Sequence, residues 1–278
     1  MNMSYFSLDF DLQKLIDNTG RVANYFWKRD WAGGNAGNIS VHLKDFKETN
    51  NEICCSSRKF PAPFPLLAGD YYMVTASGRR MRDILNAPEE NLCIVQIDDR
   101  GESYKVLWGC KTGRFPTSEF TSHLGAYNVR KETGKPVSVV MHTQPLDMIA
   151  LSLIAEYQSS EKFSELIWKM QPETIINIPE GIAFLDYAIP GSEELAAKTV
   201  KAFRDGYRIL LWANHGVIAV GNDIDEVLDL IDHANSSSAI ALKLMQAGYN
   251  PRNLGLKNNN LTDLCKRFNL KNSPFYNR

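Results

Sequence analysis

Residues 209–223 read Ile209-Leu-Leu-Trp-Ala-Asn214-His-Gly-Val-Ile-Ala-Val-Gly-Asn-Asp223. Ile209 to Trp212 and Val217 to Val220 are apolar runs of strand length, and Asn214-His215-Gly216 between them is a tight turn, since Asn and Gly tolerate left-handed backbone. Asp223 then offers a side-chain oxygen to the first free N–H groups of a long helix reaching about Gln246. A hairpin that feeds straight into a helix implies antiparallel neighbours. A doubly wound nucleotide fold would instead need a helical crossover after every strand.

The same grammar recurs upstream. Tyr71 to Thr75, Asn91 to Ile97 and Tyr104 to Trp108 read as strands, with Asp98-Asp99-Arg100-Gly101 as a hairpin turn between the last two. Ile39, Val41 and Leu43 alternate as a strand, Val137 to His142 is another apolar run, and Thr174 to Ile178 reads as a strand stopped by Pro179 and Gly181. Leu8, Leu12, Leu15, Ile16, Ala23 and Phe26 recur at helical spacing, so residues 8–30 form an amphipathic helix ending near Gly33-Gly34. Pro116-Thr117-Ser118 starts a helix to about Lys131 with Thr117 or Ser118 as cap. Leu146 to Ala155 forms a further helix, and Ser192 caps one through Phe203. The expected fold is α/β of the α+β type: a single domain over 1–278 with a mainly antiparallel central sheet covered by helices. Residues 1–30 make an N-terminal helical segment, and 44–69, with Pro61, Pro63 and Pro65, an irregular excursion.

Composition narrows the function classes. At 44% hydrophobic and 23% charged, the 278 residues have ordinary globular composition, which excludes disorder and fibrous repeats. Lys+Arg 31 against Asp+Glu 32 leaves a net charge of -1 and no basic cluster for a phosphate backbone, so no nucleic-acid partner is expected. The apolar runs fall far short of the roughly 20 residues that span a bilayer, and Met1 to Phe10 lacks a basic region followed by an apolar core. A cytoplasmic protein without membrane partners is the expectation. Cys54, Cys55, Cys93, Cys110 and Cys265 are odd in number and show no CxxC spacing, which reads as reduced, mostly structural thiols.

Two loops rich in glycine, amide and hydroxyl groups could hold an anion: Gly33-Gly-Asn35-Ala-Gly37-Asn38-Ile-Ser40 and Thr75-Ala-Ser77-Gly78. Such loops can aim several N–H groups at one phosphate. Neither matches GxxxxGK[ST] or GxGxxG, and each alone has the composition of a plain turn. His142 ends the buried run from Val137, and His215 sits in the hairpin turn. Imidazoles at strand mouths suit a metal, although either one alone is more often a structural histidine. Gln144 shares the face of His142 on an extended segment, so the pair could share one ion. Glu119 and His123, at i and i+4, share a helix face near its N-terminus, where a carboxylate is favoured with or without a function. His42, with Val41 and Leu43 on the opposite face of its strand, reads as solvated.

Taken together, Asn35-Ala-Gly-Asn-Ile-Ser, Thr75-Ala-Ser-Gly, Pro116-Thr-Ser-Glu-Phe-Thr-Ser-His, Val140-Met-His and Asn214-His-Gly-Val resemble, in order and spacing, the class II sugar-phosphate aldolases. Length and the segments Leu107-Trp-Gly109, Pro116 to Glu119 and Leu211 to Gly221 look most like the branch that acts on L-rhamnulose 1-phosphate. The resemblance implies about nine strands, mainly antiparallel, between helical layers, and a cyclic homotetramer with active sites at subunit interfaces. It also implies a zinc ion and reversible cleavage of the ketose 1-phosphate to dihydroxyacetone phosphate and L-lactaldehyde. By the same resemblance Asn35, Gly37, Asn38, Ser77 and Gly78, with Thr117 and Ser118, hold the substrate phosphate. Glu119 is the base and a metal ligand of the empty site, and Glu173 reaches a neighbouring subunit's site. A carboxylate closed off from water is expected to have a raised pKa that suits it to this work.

One position departs from the pattern. The family takes imidazoles from a His-X-His pair and from the later His-Gly turn, whereas this chain reads His142-Thr143-Gln144. His142, Gln144, His215 and Glu119 would still make four ligands. A glutamine oxygen binds Zn²⁺ less tightly than imidazole does and makes Mn²⁺, Fe²⁺ or Co²⁺ more acceptable. The alternatives are L-fuculose-1-phosphate aldolase or ribulose-phosphate 4-epimerase activity on the same scaffold, or a catalytically silent binding member.

Overall fold

The computed structural model describes residues 10–44, 46, 57–110 and 115–278. Leu8, Cys54 and Cys55, singled out in the sequence, lie outside these residues. Among the described residues, nine strands form one sheet: β1 (Asn38–His42), β2 (Ser57–Lys59), β3 (Tyr71–Thr75), β4 (Leu92–Ile97), β5 (Ser103–Gly109), β6 (Val139–Thr143), β7 (Ala183–Leu185), β8 (Ile209–Trp212) and β9 (Gly216–Gly221). Their spatial order is β2-β5-β4-β3-β1-β6-β9-β8-β7, and every pair is antiparallel except β7 with β8.

The helices are α1 (Phe10–Lys28), α2 (Pro88–Asn91), α3 (Phe120–Glu132), α4 (Leu146–Ser152), α5 (Ser160–Met170), α6 (Pro172–Asn177), α7 (Glu193–Arg204), α8 (Ile224–Gln246) and α9 (Asn258–Arg267). Alternation along each strand divides them between two layers. Ile39, Val41, Met141 and Ala219 meet Leu12, Ile16, Met148, Ile167, Val227 and Ile231 of α1, α4, α5 and α8. On the opposite face Val74, Val140, Leu210 and Ile218 meet Leu124, Tyr127, Leu195 and Phe203 of α3 and α7. The buried Trp212 ties β8 to this second layer by donating its indole N–H to Thr199 Oγ1 at 3.0 Å. No described helix is long and apolar enough to cross a membrane.

Two of the expected caps form. Ser192 Oγ accepts from Leu195 N at 3.2 Å, and Asp223 Oδ1 from Glu226 N at 2.7 Å. Three expectations are corrected. Residues 174–178 are not a strand: Pro172 takes a first-turn position of α6, where its missing N–H costs nothing, and Thr174 hydrogen bonds Ser237 of α8 at 2.6 Å. Neither Thr117 nor Ser118 is the N-cap of α3: Pro116 bridges Ala76 and Thr117 N donates to Thr75 O, which keeps the chain against the sheet as far as Thr117, and a turn closed by Phe120 N on Thr117 O then puts Glu119 at the cap position, its N–H on Thr117 Oγ1 at 3.4 Å. His42 is not solvated. It stacks on Tyr72 with ring centroids 5.1 Å apart, and its Nε2 lies 3.6 Å from Asp70. Spacing also passed over α5, α9 and the short parallel strand β7, whose burial depends on partners distant in sequence.

Candidate active site

β1 carries Asn38, Ser40 and His42 on one face and Ile39 and Val41 on the other, so a polar row faces α3 while the aliphatic row enters the opposite core. Asn38 stands opposite His142 in the β1–β6 register, and His142 stands opposite Ile218 of β9. Cross-strand partners project to the same side. Asn38 and His142 are therefore neighbours beneath the N-terminus of α3, where the buried Glu119 sits.

Glu119 Oε2 accepts from Asn38 Nδ2 at 2.8 Å and lies 3.8 Å from His142 Nε2; its Oε1 lies 3.6 Å from His215 Nε2. His215 reaches this point from the β8–β9 turn, with its ring stacked on Trp212 at 5.1 Å. The turn needs Asn214 at φ 62 and Gly216 at φ 157. A Cβ on Gly216 would fall 2.5 Å from Thr143 O and 3.1 Å from His142 Cε1, so only glycine lets β9 close against the histidine strand.

The loops converge on the same place. The Ala76–Pro116 bridge, Ser77 N on Phe115 O at 2.8 Å and Thr117 N on Thr75 O at 2.9 Å bind two of them together, and Ile39 N donates to Thr75 Oγ1 at 3.2 Å. The result is a cavity of about 360 Å³ lined by Asn35, Gly37, Asn38, Ser77, Gly78, Thr117, Ser118, Glu119, His142, Gln144 and His215, with Ala36, Thr75, Ala76 and Arg79. Every expected phosphate and metal residue lines it. Glu173 does not: it is exposed in the first turn of α6, and its carbonyl accepts from Asn177 Nδ2.

The protonation states follow from these neighbours. Burial pushes the Glu119 carboxyl up, but His142, the Asn38 hydrogen bond, His215 and His123 together outweigh it and hold the group below its ordinary range. This reverses the expected raised pKa, because imidazoles and an amide donor replace the apolar wall that would raise it. Burial, aided by His142 and opposed by Glu119, pushes His215 down to about 4. An ionised carboxylate beside a neutral imidazole is the state a metal ion requires.

The donor set fits a divalent cation. His142 Nδ1 donates to Val217 O at 2.8 Å, which directs its Nε2 at a carboxylate oxygen 3.8 Å away, where the deprotonated ring would offer its lone pair to an ion. His215 Nδ1 is buried with no hydrogen-bond partner. One ligand atom from each of Glu119, His142 and His215 falls within 4.8 Å of the others, and a cation among them would satisfy the facing lone pairs. Gln144 lines the same cavity.

Arg79 escaped the sequence reading, and His123 was singled out there without its partners. Arg79 also lines the cavity, and its position directly after Gly78 was the available signal. His123 is fully buried, with Nδ1 2.7 Å from Ser40 Oγ and Nε2 2.6 Å from Asn38 Oδ1. Its spacing from Glu119 pointed to a shared helix face. The i, i+2 pair on β1 that completes the contact is distant in sequence.

Comparison with known proteins agrees with this geometry. The family model described as "Class II Aldolase and Adducin N-terminal domain" matches residues 20–242. A rhamnulose-1-phosphate aldolase of Bacteroides thetaiotaomicron is 31% identical over 262 residues, covering 93% of this chain and 96% of that one. One from Listeria welshimeri is 29% identical over 251 residues, 88% of each chain. The crystal structure of a sugar-phosphate aldolase from Thermotoga maritima superposes with a TM-score of 0.75 at 31% identity, covering 87% of this chain and 99% of that one.

Proposed function

Because this chain belongs to the class II aldolase and adducin family, we propose that it catalyses reversible, metal-dependent retro-aldol cleavage of L-rhamnulose 1-phosphate to dihydroxyacetone phosphate and L-lactaldehyde. The observation that carries the reading is the convergence of Glu119, His142 and His215 in a cavity also walled by the Asn35–Asn38, Ser77–Gly78 and Thr117–Ser118 loops. The substrate choice draws on the names of the relatives from B. thetaiotaomicron and L. welshimeri.

His142, His215 and Glu119, with Gln144 as fourth ligand, would hold one divalent ion. Zn²⁺ leads, and Mn²⁺, Fe²⁺ or Co²⁺ are admitted by the amide oxygen. Such an ion supplies Lewis acidity to the substrate's carbonyl oxygen. Asn35, Gly37, Asn38, Ser77, Gly78, Thr117 and Ser118 anchor the phosphate through backbone N–H groups and short polar side chains. Gly37 has φ 85, and a Cβ there would lie 3.3 Å from His142 O, so this loop approaches the histidine strand closely only without a side chain. In the condensation direction Glu119 takes a proton from the carbon beside the carbonyl of dihydroxyacetone phosphate, and in cleavage it returns that proton. Glu173 serves the site of a neighbouring subunit in a cyclic homotetramer, and the enzyme works in the cytoplasm.

A coupled assay of dihydroxyacetone phosphate release tests the reading. L-Rhamnulose 1-phosphate should turn over faster than L-fuculose 1-phosphate or L-ribulose 5-phosphate; equal or reversed preference rejects the substrate assignment. Metal analysis of the purified protein should find about one divalent ion per subunit, and a chain that binds none and cleaves none of the three is a silent family member.

A further inference from the structure

The buried hydrogen bonds behind Glu119 run in one direction only. An ionised carboxylate accepts and cannot donate, so the Asn38 amide must present Nδ2 to Glu119 Oε2 at 2.8 Å. Its Oδ1 then faces His123 Nε2 at 2.6 Å, which requires the proton on Nε2. Burial, with Glu119 opposing and His142 adding to it, pushes His123 down to about 3. The ring is therefore neutral, has a single N–H, and must accept at Nδ1, where the Ser40 hydroxyl donates at 2.7 Å. Tyr127 closes the far end by donating to Ser40 O at 2.9 Å.

We propose that His123 is a positioning residue: by holding the Asn38 amide with its N–H₂ toward Glu119, it keeps Oε2 occupied as an acceptor and leaves Oε1 as the oxygen that takes up the substrate proton. The inference rests on the reading of Glu119 as the base. Without the His123 N–H, Asn38 Oδ1 is left buried with no donor, and the carboxylate alone is left to orient the amide. A flipped amide sets oxygen against oxygen and turns the carboxylate out of line with the substrate carbon, while His142, His215 and Gln144 would still hold the ion. Because catalysis depends on placement within a fraction of an ångström, the loss appears in proton transfer and leaves phosphate affinity alone. The protonated product state agrees with this division, since a proton on Oε1 leaves the Asn38 bond to Oε2 intact.

The test uses the metal-loaded enzyme. In wild type, ¹⁵N NMR should show His123 as the neutral Nε2–H tautomer, and the Nδ1–H tautomer would overturn the proposal without any variant. His123→Leu, close in volume but without a donor, should slow solvent-deuterium exchange into dihydroxyacetone phosphate roughly 10–100-fold, with KM for the ketose phosphate and bound metal unchanged. His123→Gln, whose amide can donate to Asn38 Oδ1, should recover most of that rate. Wild-type exchange in folded His123→Leu, no recovery in His123→Gln, or loss of metal together with rate each rejects the positioning role. Should His123→Leu fail to fold, Ser40→Ala removes the hydroxyl that fixes the tautomer and should slow exchange in the same way; an unchanged rate there also rejects it. Wild-type exchange in Glu119→Gln would instead reject the base itself, a different failure.

Discussion

Asn38 and His142 are cross-strand partners in the antiparallel β1–β6 pair, and both face Glu119 Oε2, one as a hydrogen-bond donor at 2.8 Å and the other with its Nε2 at 3.8 Å. One ladder register thus aligns the support for the proposed base with a ligand of the proposed metal. A one-residue slip of β1 would send Asn38 to the opposite face and put Ile39 against the carboxylate.

Glu119→Gln should fold and should lose proton abstraction, because the amide is isosteric but has no basic oxygen. General-base loss typically costs about 10²–10⁴-fold. Deuterium exchange into dihydroxyacetone phosphate, followed by NMR, isolates this step without the aldehyde. Loss of metal in the same variant would show that Glu119 serves chiefly as a ligand.

Gln144→His should rebuild a three-imidazole set and tighten Zn²⁺ on the order of tenfold or more. Activity need not rise, since more donation from the protein makes the ion a weaker Lewis acid. Competitive metal titration of both proteins measures the change, and equal zinc affinities would place Gln144 outside the ligand set.

Gly216→Ala should destabilise the fold by about 1–3 kcal/mol, the usual cost of forcing an extra carbon into a packed region. The new Cβ would sit 2.5 Å from Thr143 O, so β9 must move away from β6 and carry His215 with it. The urea midpoint should fall and metal affinity with it. A stable variant with weakened metal binding would show that the strain is absorbed in the turn.

Stability should decline as the pH falls below the ordinary histidine range. His123 titrates near 6.5 when unfolded, but burial pushes its folded pKa down to about 3. Between those values the unfolded chain binds the extra proton and the folded chain does not, so stability rises with pH and is lost on acidification, by up to about 1.4 kcal/mol per pH unit. Urea unfolding at pH 7, 6 and 5 should show this slope in wild type and a shallower one in His123→Gln. Parallel slopes would mean that His123 is protonated in the fold.

The sequence alone determined the antiparallel sheet, the β8–β9 hairpin, the caps at Ser192 and Asp223, and a set of candidate residues that nearly all reach one cavity. These are properties of near neighbours: alternation, turn residues and the first free N–H of a helix depend on a few adjacent positions. Tertiary structure decided the rest. Pro172 to Asn177 became helical against α8, although the apolar run read as strand. The Glu119 carboxyl lies low instead of high, because its donor Asn38 and the two imidazoles arrive from other elements. The partners of His123 stand 83 and 85 positions away on β1, and only the register of that strand against β6, together with the seat of α3 above it, brings an amide, an imidazole and a hydroxyl into one line. Local pattern specifies which face a residue occupies, and long-range packing specifies what it meets there.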